Sequence, residues 1–298
     1  NCNDSYWLTH PDEPITGFAA IIGDEGSERS LRTRLCIRQV QDRLDGSDGR
    51  PGTGFADLAE LQDIVLSSAL MTERLARQTV LDSICPLGTI LSSSLTPVDV
   101  SGACAVLATW DGALNLDSVG GHIWREFWKR ADDALLPLWL SPFDTSDPVN
   151  TPHTLNPLNP QVVSALADAV EALEQAGVAL HAPLGALHVS AVHDQANPVP
   201  VFGGNGFEGA FTIAARGELV DGRYPVTYGN SYIQTVTWDD NGDPIAEGFV
   251  TYSQSTDPAS PYFQNMTEAY ANKAWIPWRF TEAQLAADAG RSRFRVSE

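Results

Sequence analysis

"NCNDSYWLTHPDEPITGFAAIIGDEGSERSLRTR" (Asn1–Arg34) starts without a helical or alternating apolar period. Pro11, Pro14, Gly17, Gly23 and Gly26 punctuate it, so residues up to about 30 read as irregular but rich in side-chain chemistry. Helical spacing begins at its end. Over residues 29–45 the positions Leu31, Leu35, Val40 and Leu44 recur near a helical period, and a helix is expected. Arg29, Arg32, Arg34, Arg38 and Arg43 crowd this segment. In so acidic a chain they are expected to find carboxylates. Nothing in the stretch looks like the start of a protein: it has no Met and no apolar leader.

The rest of the chain restricts the options. It has 298 residues, 43% of them apolar, enough for a sizeable core. Its 38 acidic and 18 basic residues give a net charge of −20. That field repels nucleic acid and anionic lipid, so neither is expected as a partner. Lysine is reduced to Lys129 and Lys273. No apolar run reaches the length of a membrane span: the greasiest stretch, Ala134–Leu140, is interrupted by Pro137. The cysteines are Cys2, Cys36, Cys85 and Cys104, without C-x-x-C. Their state is left open between buried thiols and, in an oxidising compartment, a Cys85–Cys104 bridge across a loop.

Downstream, residues 52–77 read as an amphipathic helix in two pieces, and Asp99 or Ser101 caps another over "DVSGACAVLATW". A further helix, "GHIWREFWKRADDALLP", has ridges of Ile123, Trp124, Phe127 and Leu135 and a break at Pro137. Residues 141–160 carry turn residues. "NPQVVSALADAVEALEQAGV" is the clearest helix, with Asn159 as cap, Pro160 at the first position and Gly177 as the stop. After Gly177, strands are expected in "GALHVSAVH", "NPVPVFGG", "FEGAFTIAAR", "RYPVTYG", "SYIQTVTW" and "IAEGFVTYSQ". The last two are joined by a turn at Asp239–Pro244, and Thr281 caps a short final helix. Helices first and strands later indicate α+β.

Common catalytic motifs are missing. The histidines (His10, His122, His153, His181, His188 and His193) form no H-E-x-x-H. G-x-S-x-G and a P-loop are also absent. "VFGGNGFEG" therefore reads as close backbone approach at a bulge or pocket wall. An asparagine amide can donate to a developing oxyanion without carrying charge, and a guanidinium can fix such an amide. Asn3 with Arg29 would make such a pair. The same residues serve equally well as an Asx-turn and a helix-surface charge.

The opening stretch resembles the penicillin-acylase-type N-terminal-nucleophile hydrolases. So do "ACAVLATWDGALNLDSVGGHIWREFW", "PVPVFGGNGFEGAF", "GNSYIQTVTW" and "TYSQSTDPASPYFQNMTEAYANKAW". They occur in family order from Asn3 to about Phe280. They look like the branch that holds aculeacin A acylase and the acyl-homoserine-lactone acylases. The resemblance implies a fragment of the four-layer αββα fold, α+β with a helical insertion and an antiparallel sheet. Residues 1–30 would be the active-site segment of its core, 31–180 a mostly helical region and 181–298 a β-rich part. It implies hydrolysis of an amide in an N-acylated small molecule, such as an N-acyl homoserine lactone or lipopeptide, through a serine acyl-enzyme. The rivals are a penicillin or cephalosporin acylase and a non-catalytic binding module. In Asn1-Cys2-Asn3 the family's N-x-N motif assigns the oxyanion donor to Asn3, and a downstream arginine to orient it: Arg29, with Arg32 as the alternative. The family's serine nucleophile would lie upstream of these residues. The chain is then expected to be the C-terminal part of a β-chain cut from an autoproteolytic precursor, inactive alone. Its partners would be the α-chain and the remainder of the β-chain. No cofactor is expected, and the structural calcium of the full enzyme finds no ligand set here. The family's compartment is periplasmic or secreted.

Overall fold

A computed structural model describes residues 3, 6–194 and 196–290. Asn1 and Cys2 of the N-x-N motif lie outside the described residues. The chain is α+β. It divides into two compact units, one of Asn1–Gly54 with Ile64–Gly229, the other of Phe55–Asp63 with Asn230–Glu298.

In the first unit the helices are α1 (Leu31–Asp45), α2 (Leu58–Val65, which straddles the boundary), α3 (Met71–Thr79), α4 (Ser101–Thr109), α5 (Gly121–Asp132), α6 (Pro160–Gln175) and the short α7 (Leu184–Leu187). Two small antiparallel ladders lie among them: β1 (Thr89–Leu91) with β2 (Pro97–Asp99), and β3 (Trp139–Ser141) with β4 (His153–Leu155). A third sheet has the order β5 (His188–Ser190), β7 (Tyr224–Gly229), β6 (Ala214–Arg216).

The core forms around α5. Gly121 to Trp128 are buried without interruption, so this helix presents no solvent face over two turns. Trp124 and Trp128 stack with centroids 6.2 Å apart, and Trp110 and Trp139 extend the row at 5.8 and 5.6 Å. Both indole N–H groups of α5 have an acceptor: Trp124 donates to Thr72 Oγ1 (3.0 Å) and Trp128 to the Phe207 carbonyl (2.9 Å). α6 packs along α5 with Val162, Leu166, Val170 and Leu173. Its start is as expected: the Asn159 side chain accepts from the Gln161 N–H, and Pro160 follows.

The second unit holds an antiparallel meander, β8 (Tyr232–Trp238), β9 (Pro244–Val250) and β10 (Ile276–Trp278), in the order β10-β9-β8. The β8–β9 turn is closed by Asp239, whose carboxylate accepts from the Asn241 and Asp243 N–H groups. Phe249 packs on Tyr270 and Trp275. α8 (Asn265–Ala271) and α9 (Glu282–Ala287) complete the unit, with Thr281 capping α9.

Several local expectations are corrected. α1 buries Arg34, Leu35, Ile37 and Arg43, while Val40 and Leu44 are exposed. The arginine stems supply the apolar face there and their heads find internal partners, so counting aliphatics alone misses the phase. α5 ends at Asp132, before Pro137, and Leu135 is 91% exposed. β5 pairs with β7 in parallel, whereas only antiparallel ladders were expected. "NPVPVFGG" forms only isolated bridges, and of "FEGAFTIAAR" only Ala214–Arg216 is strand, with a helical turn at Gly206–Glu208, because the glycines serve close contacts. α8 and β10 were not foreseen.

Glu126 is the buried carboxylate of α5. It accepts from Tyr224 Oη (2.8 Å) and from Arg130 Nη1 (2.6 Å), and Arg125 Nε lies 3.6 Å away. Burial alone would push its carboxyl up. The hydrogen bonds from Arg130 and Tyr224, with the arginine charges, hold it below its usual value near 4.5. A depressed carboxylate contributes stability above about pH 4.5 and loses it as pH falls through the folded value. Glu126→Gln is therefore expected to cost about 1–3 kcal/mol at pH 7 and to flatten the acid limb. Urea midpoints from pH 3 to 7 test this; parallel curves would contradict it. Cys85 and Cys104 are bridged across 19 positions, so Cys85→Ser with Cys104→Ser is expected to lower stability by about 3 kcal/mol. An unchanged urea midpoint would contradict that.

Candidate active site

Asn3 stands at φ 70°. Asparagine enters this left-handed region more readily than most residues, because its short polar side chain can bond locally. Its exposed amide meets the first turn of α1. Ser30 caps that helix, its hydroxyl accepting from the Thr33 N–H. Arg32 therefore lies in the first turn, where no acidic side chain is present. A cation at the positive end of a helix is disfavoured by the dipole, so a specific partner is needed there.

The partner is Asn3: Arg32 Nη1 donates to Asn3 Oδ1. A guanidinium only donates. The carboxamide oxygen must therefore face Arg32, which turns the NH2 group away from it. Arg32 is held in turn by Phe211, whose carbonyl accepts from Nε at 3.4 Å and whose ring centroid lies 5.1 Å from the guanidinium carbon.

Arg29 has other contacts. Its guanidinium lies over the Tyr6 ring at 4.6 Å, and Nε donates to the Ser27 carbonyl at 3.1 Å. Nη2 donates to Ser27 Oγ. The same carbonyl accepts from Trp7 Nε1 at 3.1 Å. Arg29 thus ties Tyr6 and Ser27 together, while the bond to the Asn3 side chain described above comes from Arg32, the alternative named from the sequence. Residue type alone could not separate them. The position of Arg32 just inside the helix, against the dipole, was the available signal. Phe211, Tyr6 and Trp7 carried none.

The opening segment folds over a small apolar cluster of Trp7, Leu8, Ile37 and Val149, with Tyr6, Phe18 and Phe143 against it. At Gly23 a Cβ would come within 2.1 Å of the Tyr6 ring, so only glycine fits. Below lies Arg34, fully buried, donating to the carbonyls of Val149 (2.8 Å) and Pro152 (2.9 Å). Burial lowers its pKa to about 10, against the opposing charges of Glu28 and Asp147. Glu28 is raised by burial, with Arg34 opposing.

The glycine-rich stretch 203–209 makes close backbone approaches, as its composition suggested. A Cβ at Gly204 would stand 2.7 Å from Leu114 Cδ1. Gly209, at φ 75°, would meet Met71 Cβ at 2.6 Å and Leu31 Cβ at 3.0 Å. Ser190 Oγ and His193 Nδ1 lie 2.7 Å apart, but both residues are buried. Among the described residues no three His, Cys, Asp or Glu side chains converge as a metal ion requires. No helix of the described residues is long and apolar enough to cross a membrane.

A family profile described as penicillin amidase matches residues 1–287. This chain belongs to the penicillin amidase family. Members of the family are amide hydrolases. The chain is 34% identical to aculeacin-A acylase of Actinoplanes utahensis over 300 residues, covering 100% of this chain and 37% of that protein. It is 32% identical to the acyl-homoserine lactone acylase PvdQ of Pseudomonas fluorescens Pf0-1, covering 96% and 35%. It thus spans little more than a third of these relatives. A thermostable penicillin G acylase from Alcaligenes faecalis superposes with a TM-score of 0.41 at 14% identity, over 87% of this chain and 52% of that one.

Trp7 is 3% exposed and is the largest side chain buried in the small cluster. Trp7→Ala should cost about 3–5 kcal/mol locally. Limited proteolysis is expected to cut residues 10–26 at least about tenfold faster, with the α5–α6 core still protected. Cleavage at the wild-type rate would show that the cluster does not anchor the segment.

Proposed function

We propose that this chain supplies an oxyanion donor to an acylase that releases an acyl chain from an N-acylated small molecule, such as an N-acyl homoserine lactone or a lipopeptide. The observation that carries the reading is the Arg32–Asn3 hydrogen bond. It fixes the amide oxygen on Arg32 and turns the NH2 away from the guanidinium, which suits a group that donates to charge on a carbonyl oxygen. An amide donor is well suited to this: it has no charge to desolvate, and the adjacent guanidinium adds a favourable potential as the oxyanion develops.

In the proposed reaction a serine borne outside these 298 residues attacks the amide carbonyl. The carbonyl oxygen gathers charge and accepts from Asn3 Nδ2. Collapse expels the amine and leaves an acyl-enzyme, which water clears through a second oxyanion at the same donor. The partners are accordingly other segments of the same precursor, and no cofactor is required. The names of the two relatives support acyl-homoserine lactones and lipopeptides as first substrates. An oxidising compartment, periplasmic or extracellular, is proposed from the cysteines: Cys85 and Cys104 are bridged, Cys36 is disulfide-bonded, and no described cysteine is free.

The test is made in the complete gene product. Amine release is followed with N-acyl homoserine lactones of several chain lengths, a lipopeptide and penicillin G. Asn3→Ala and Asn3→Asp are each expected to lower kcat about 10²–10³-fold with little change in KM. The aspartate variant retains shape and local bonding, but its carboxylate cannot donate. Wild-type turnover in both would reject the assignment and favour a module without catalysis.

A further inference from the structure

We infer that Phe211 is a positioning residue for the oxyanion donor, gripping Arg32 so that Arg32 can orient Asn3. This rests on the role proposed for Asn3. Arginine has a long stem and about 2 kcal/mol of rotamer entropy to lose. A donor useful in catalysis must be held within about 0.5 Å. Arg32 lies in a first turn that disfavours its charge, so the helix alone does not supply that order. Phe211 provides two restraints at right angles in kind: a carbonyl for Nε and a π face for the guanidinium.

Phe211 can act this way because its own backbone is fixed on both sides. Ala210 donates its N–H to the Asn205 carbonyl (3.3 Å), and the Asn205 N–H donates to Glu208 Oε2 (2.6 Å). Thr212 Oγ1 donates to the Val65 carbonyl (2.6 Å), while its own carbonyl accepts from the Gly204 N–H (3.0 Å). Thr72 Oγ1 and Trp128 Nε1 donate to the carbonyls of Glu208 and Phe207. The core around α5 is thus joined through the glycine-rich loop to Phe211, Arg32 and Asn3 in turn.

The test uses the complete gene product with Phe211→Leu, Phe211→Tyr, Asn3→Ala and the Asn3→Ala/Phe211→Leu pair. Phe211→Leu removes the π face and leaves the carbonyl. It is expected to lower kcat about 3–30-fold with KM unchanged, the range of one cation–π contact. Phe211→Tyr should restore the rate. In the Asn3→Ala background Phe211→Leu should have no further effect, since it acts only through Asn3. Wild-type kcat in Phe211→Leu, a rise in KM instead, or the same fold-loss on top of Asn3→Ala would overturn the inference. A crystal structure of Phe211→Leu separates this from failure of the underlying reading. Wild-type turnover in Asn3→Ala rejects the oxyanion role itself, whereas Arg32 still seated on Asn3 without the ring rejects the clamp whatever the kinetics.

Discussion

The stacked indoles of Trp124 and Trp128 on α5 are the contact on which the first unit depends. A helix buried over two full turns has no polar side to spare, so its polar side chains depend on partners inside the protein. The indole N–H groups meet Thr72 and the Phe207 carbonyl, and Glu126 meets Tyr224 and Arg130. These bonds tie α3, the glycine-rich loop and β7 to one helix. The packing that forms the core also fixes the loop whose next residues reach the candidate site.

From that core, order passes outward by different means. In the interior it is carried by close-packed apolar volume, which tolerates no displacement. In the opening segment it is carried by arginines. Arg34 holds the carbonyls of Val149 and Pro152, Arg29 ties Ser27 and Tyr6, and Arg32 joins Phe211 to Asn3. Arginine suits the task because its fork has several donors at fixed angles and its charge survives partial burial. A segment with few apolar residues is held in one conformation at little cost in core volume.

The amide of Asn3 illustrates how a neutral group acquires a direction. An asparagine in solution presents either end to a ligand. Here a donor-only neighbour takes the oxygen, so the NH2 group points away from the guanidinium. Membership of the penicillin amidase family gives that direction a use, since amide hydrolysis builds negative charge on a carbonyl oxygen.

The sequence by itself determined the elements with strong local signals. The Asn159–Pro160 start of α6, the Asp239 turn and the Thr281 cap depend on residues a few positions apart. Composition also singled out the arginine-rich start of α1 and the glycine-rich stretch, whereas Asn3 stood out through the resemblance to the penicillin-acylase-type hydrolases. Only the tertiary structure decided which arginine reaches Asn3, which face of α1 is buried, and that β5 and β7 run parallel. Arg32 and Phe211 are 179 positions apart. A cation–π contact leaves no period or motif in the chain, and only the folded backbone brings Phe211 against Arg32.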